Sequence, residues 1–152
     1  MTDTPVAKQP NPFHHASANY AGSCLCGEIR YEVDQFKPHL GHCHCHMCQK
    51  FHGAAFSTFA EVALVDLHWI TGEANLKSYQ AANGTVRQFC NTCGSSLLFS
   101  SKYNVTAGTI ELAISTLDQG EALTPDAHIY TESKASWLEL SDDLPKYHGY
   151  RE

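Results

Sequence analysis

The chain has no apolar run approaching the roughly 20 residues that span a bilayer, so no membrane-spanning helix is expected. It has no basic stripe either. Ten Lys and Arg are scattered among sixteen Asp and Glu, giving a formal net charge of −6 with neutral His. A nucleic-acid surface needs clustered cations to neutralise phosphates, so none is expected here. The opening MTDTPVAKQPNPFHHASANY lacks the apolar core of a secretory leader. A cytoplasmic location, where thiols stay reduced, is the expectation. No internal repeat is visible, and no linker divides the chain after its first 20 residues. Only 17% of residues are charged and 43% are hydrophobic, which excludes a disordered chain. Its 152 residues suit one domain with a single core. The expected layout is a flexible arm over 1–19 and a single domain over 20–152. His14 and His15 lie in the arm and read as a solvated pair.

Most of the chain alternates apolar and polar residues with period two. EIRYEV (28–33), AAFSTF (54–59), DLHWI (66–70), NLKSYQ (75–80), TVRQF (85–89), SLLFS (96–100) and TIELAIS (109–115) read as strands. Gly72, Asn83-Gly84 and Gly108 punctuate them, and Asn83-Gly84 is the clearest hairpin signal. Helical turns are expected only within 43–52 and 133–140. The fold class is therefore mainly β, with short antiparallel strands. Trp137, Leu138, Leu140, Leu144 and Tyr147 are expected to pack as a cover on the sheet, with Pro145 ending any helical turn.

Seven cysteines fall into three tight groups: Cys24 and Cys26; Cys43, Cys45 and Cys48; Cys90 and Cys93. Seven is an odd count for disulfides, and core thiols have no reason to recur at spacings of two and three. Metal binding is the expectation. Four thiolates close a tetrahedral zinc site, whereas three leave a position open. Gly27 follows Cys26 and Gly94 follows Cys93, and a glycine there lets the backbone turn back with positive φ. No glycine follows Cys48. This groups Cys24, Cys26, Cys90 and Cys93 as a closed structural site that clips distant parts of the chain, contributing roughly 10 kcal/mol or more to folding. Cys43, Cys45 and Cys48 remain as a second site, giving two Zn²⁺ per chain. His42, His44, His46 and His52 surround the triple, and any one of them as fourth ligand would close it. Supporting hydrogen bonds or simple exposure is the expected role of each.

Zinc with three thiolates carries a net charge of −1 and is a weak Lewis acid. Water activation is then less expected than capture of a thiol, which metal coordination deprotonates.

GSCLCGEIRYE (22–32), CHCHMCQK (43–50) and FCNTCGSSL (89–97) resemble the glutathione-dependent formaldehyde-activating (GFA) family, also called the centromere protein V/GFA domain. PDAHIY (125–130) and LPKY (144–147) are similar to that family's C-terminal segments. The resemblance implies a β-tent fold with two zinc ions, a structural one on Cys24, Cys26, Cys90 and Cys93 and a catalytic one on Cys43, Cys45 and Cys48. It implies a carbon–sulfur lyase that condenses glutathione with formaldehyde to S-hydroxymethylglutathione. A non-catalytic zinc- and thiol-binding module is the alternative. Glutathione carries two carboxylates, and Lys50 and Arg87 are candidates to meet them. Solvated surface charge is the plainer reading of both.

Overall fold

The computed structural model describes residues 19–118 and 123–151. Residues 1–18 of the expected arm, with His14 and His15, lie outside the described residues. Among the described residues, ten strands form two sheets. A three-stranded sheet joins β1 (Tyr20–Ser23), β2 (Arg30–Val33) and β5 (Leu67–Thr71), in that order. The larger sheet contains β3 (Gly41–Cys43), β4 (Ser57–Ala63), β6 (Leu76–Gln80), β7 (Val86–Cys90), β8 (Ser96–Ser100), β9 (Thr109–Ala113) and β10 (Ala127–Ile129). Its order is β10-β3-β4-β9-β8-β7-β6, and only the β10–β3 pair is parallel. Two short helices, α1 (His46–His52) and α2 (Lys102–Ala107), lie in the connections β3–β4 and β8–β9. The mainly β, antiparallel expectation holds.

Strand alternation gives the large sheet two different faces. Val62, Ile110 and Leu112 share a core with Tyr31 and Val33 of the small sheet, and with Cys24 and Cys90. Phe59 and Ala113 are a directly opposed pair of β4 and β9 and belong to a second core with Cys43 and Cys48. The two cysteine groups are thus built into different cores, one per face of the large sheet.

Each of the seven strand readings finds a strand, with ends shifted by up to four residues. The Asn83-Gly84 signal marks the β6–β7 connection: Gly84 has φ 84°, and Asn83 Oδ1 accepts from the Thr85 N–H at 3.0 Å. Three strands of three or four residues, β1, β3 and β10, escape periodicity because so short a run shows almost none. The helical turn expected in 43–52 is α1. The one expected in 133–140 is not a helix; a 3₁₀ turn at Thr131–Ser133 precedes it. The cover expected from the C-terminal stretch needs correction at Trp137, which is exposed, whereas Leu138, Leu140, Leu144 and Tyr147 are half-buried. The segment also attaches through its backbone. The His128 N–H donates to the Pro145 carbonyl and the Tyr147 N–H to the His128 carbonyl, both at 2.8 Å. It runs along the free edge of β10, joined to it by an isolated parallel bridge between His128 and Lys146.

Candidate metal centres

Cys24 lies just after β1, Cys26 two residues on, Cys90 ends β7 and Cys93 sits in the turn before β8. Their four sulfurs all lie within 4.8 Å of one another. Cys24 and Cys26 Sγ are 3.4 Å apart, and Cys26 and Cys90 Sγ 3.9 Å. Zinc–sulfur bonds of about 2.3 Å in a tetrahedron place sulfurs about 3.8 Å apart, so the donor set fits that ion. The turns are shaped for it. Gly27 has φ 78° and Gly94 φ 77°, the left-handed conformation that side chains resist. The Ile29 N–H reaches Cys24 Sγ at 3.3 Å. Ser95 Oγ accepts from the Leu25 N–H at 2.8 Å and lies 3.3 Å from Cys93 Sγ, tying the two turns together.

Cys43 ends β3, Cys45 caps the N-terminus of α1, and Cys48 lies in its first turn. These three sulfurs also lie within 4.8 Å of one another, and among the described residues no histidine nitrogen completes the group. Cys45 Sγ accepts from the Cys48 N–H at 3.3 Å. Hydrogen bonds from the Cys43 and Cys48 thiols, then from that N–H, hold the Cys45 thiol far below its usual range, and the charge of Arg87 acts in the same direction. Three thiols converging from one strand end and one helix turn, one already favouring the thiolate, suit a soft divalent metal. Phe99, Ile129 and Tyr130 wall the cluster.

Among the described residues, none of the surrounding histidines joins the three sulfurs. His42 Nδ1 lies 2.7 Å from Thr58 Oγ1. His44 is fully buried; its Nε2 lies 2.8 Å from His128 Nδ1, and His128 Nε2 lies 2.9 Å from Asp142. Burial, then the neighbouring His128 and His42, pushes His44 down to about 4. His52 packs edge-on against Phe59, with ring centroids 5.2 Å apart. Burial, then the charge of Arg87, lowers it to about 4 as well, so both rings stay neutral at pH 7. His46 is exposed. Buried polar atoms without a hydrogen-bond partner gather on this side of the sheet: His44 Nδ1, His52 Nε2 and Arg87 Nη1 are among them.

The family model for the glutathione-dependent formaldehyde-activating enzyme matches residues 19–133, which contain both cysteine groups. The chain belongs to this GFA family. A Halomonas elongata protein named for glutathione-dependent formaldehyde activation is 27% identical over 78% of this chain and 79% of its own length. An uncharacterized lyase of Schizosaccharomyces pombe is 29% identical over 53% of this chain, and the match spans only 56% of the yeast protein. A crystal structure of a Rhodobacter sphaeroides protein superposes with a TM-score of 0.55 at 26% identity, covering 69% of this chain and 91% of that one.

Within this GFA chain, the structure gathers the sequence-selected cysteines into the two groups that glycine placement separated. Lys50 is exposed, as a surface charge should be. Arg87 is not: only 5% of it is exposed, which corrects the surface reading. His128 and Asp142 were not singled out. The histidine of PDAHIY was visible as a family-like segment, but nothing local showed that it would meet His44 across 84 residues. Among the described residues, no helix is long and apolar enough to cross a membrane.

Proposed function

We propose that this chain is a zinc-dependent carbon–sulfur lyase that condenses glutathione with formaldehyde to S-hydroxymethylglutathione. Cys24, Cys26, Cys90 and Cys93 hold a structural zinc, and Cys43, Cys45 and Cys48 hold a catalytic one. The observation that supports the reading most is the contrast between the two groups: four converging sulfurs in one core, and three with no fourth protein ligand among the described residues in the other. The family match and the names of the relatives point the same way.

Zinc bound at the triple supplies a soft Lewis acid that holds a substrate thiol as thiolate near neutral pH. The chain's own residues do the rest. Hydrogen bonds to backbone carbonyls fix the cysteine loop: the His44 N–H donates to the Ile129 carbonyl at 3.0 Å, and the Gln49 side chain donates from Nε2 to the His44 carbonyl at 2.7 Å. The His44–His128–Asp142 chain ties the same loop to the C-terminal segment. Phe59, Phe99 and Tyr130 keep water away from one side. In the reaction the glutathione sulfur adds to the formaldehyde carbon. The C–S bond forms as the carbon–oxygen π pair moves to oxygen, which takes up the proton that sulfur gave up.

Metal analysis with a thiol titration tests the assignment. Two zinc ions per chain are expected, one of them lost in Cys48→Ser. With cobalt in place of zinc, glutathione should add one thiolate-to-metal absorption band in wild type and none in Cys48→Ser. A second metal that ignores added thiol would contradict the enzyme reading and leave a non-catalytic zinc module.

A further inference from the structure

We propose that Arg87 is the buried counter-charge of the Cys43, Cys45 and Cys48 cluster, the cation that lets this site accept an anionic thiolate. The inference rests on the reading of that cluster as a zinc site open to a thiol.

Arg87 sits in β7, paired with Tyr79 of β6 and Phe99 of β8. Its guanidinium carbon lies 5.3 Å from the centre of the Phe51 ring and 5.5 Å from that of Phe99. Nη1 is buried with no hydrogen-bond partner, and among the described residues Arg87 joins no ion pair. A buried cation without an anion is costly, and aromatic faces recover only part of the loss. Arginine suits such a place better than lysine, because its charge is spread over a weakly hydrated plane that stacks on rings.

The anion that Arg87 answers is the sulfur cluster. Phe51 is three residues beyond Cys48 in α1, and Phe99 packs on the core that contains Cys43 and Cys48. The guanidinium is therefore held between a ring from the helix that carries Cys48 and a ring packed on the cluster's own core. Charge accounting shows the use. Zn²⁺ with three thiolates is −1, and an incoming thiolate makes it −2. Accumulating that charge in a core requires a nearby positive group. At an effective dielectric of about 20, a unit positive charge close to an anionic cluster changes an equilibrium by about 10-fold or more.

Zinc affinity at the triple, measured on the full chain by competition with a chromophoric chelator, tests this in Arg87→Met and Arg87→Lys. Loss of the corresponding step in Cys48→Ser identifies it. Arg87→Met should weaken this step about 10-fold or more and leave the four-cysteine step unchanged. Arg87→Lys, which keeps the charge, should stay within about 3-fold of wild type. Should the methionine variant lose the four-cysteine zinc, Arg87→Gln provides a second charge-free variant. Glutathione and 2-mercaptoethanol, titrated into cobalt-loaded protein, should both bind more weakly to the charge-free variant, by similar factors. Weakening of glutathione alone would make Arg87 a carboxylate anchor and overturn the counter-charge role. Unchanged zinc affinity without the charge, or an equal loss in the lysine variant, would overturn it too. A wild type that takes up no zinc at the triple defeats the site reading itself, and this inference falls with it.

Discussion

Gly94 has φ 77°, yet a side chain there would meet nothing within 4 Å. The constraint on it is backbone conformation, not space. Gly94→Ala should therefore destabilise the protein by about 1–2 kcal/mol without repacking any neighbour. Chemical denaturation checks this, with midpoint lowered and slope unchanged. Residue by residue, the two cysteine groups were the most legible part of the chain, because short spacings and the glycines after Cys26 and Cys93 survive in one dimension. Arg87 was not legible. Whether a charge in a strand faces solvent or a core depends on which rings the neighbouring strands bring. Phe51 and Phe99 come from elements 36 and 12 residues away in the chain.

At the scale of the element, β4 and β9 place Glu61 and Glu111 directly opposite each other. Asn104, held in α2 by a capping box with Ser101, donates to Glu111 from its Nδ2 at 3.2 Å. Burial pushes Glu111 up to about 7; the Asn104 hydrogen bond pulls the other way, and the charge of Glu61 adds to the rise. A carboxyl whose folded value is raised stabilises the fold below its unfolded value. That contribution is lost as pH rises from about 4.5 to about 7. Glu111→Gln should abolish this decline, on the order of 3 kcal/mol at most, and should be the more stable protein at pH 8. Thermal unfolding at pH 5 and pH 8 checks it; identical pH slopes in both proteins would contradict it. The strands with five or more residues were legible from alternation, as was the β6–β7 turn. β3 and β10 were not, because each is only three residues long. Their parallel pairing depends on a C-terminal segment arriving from far along the chain.

For the whole molecule, the four-cysteine group joins the start of the chain to a hairpin 64 residues later, between Cys26 and Cys90. The triple lies within one strand–helix connection that hydrogen bonds already fix. The two sites should therefore differ in what they do for stability. Cys90→Ser should lower the melting temperature by more than about 15 °C, since a structural zinc contributes on the order of 10 kcal/mol. Cys48→Ser should lower it by only a few degrees. Calorimetry on both variants distinguishes a structural site from a working one.

The triple, as proposed, should accelerate union of a thiol with formaldehyde, a reaction that also runs without enzyme. Exchange NMR on glutathione and formaldehyde at equilibrium measures both rates in one sample. Wild-type protein should speed exchange well above the uncatalysed rate, while Cys48→Ser, folded and still holding its four-cysteine zinc, should leave it at that rate. Equal exchange with wild type, with Cys48→Ser and with no protein would overturn the assignment of the triple as a catalytic site.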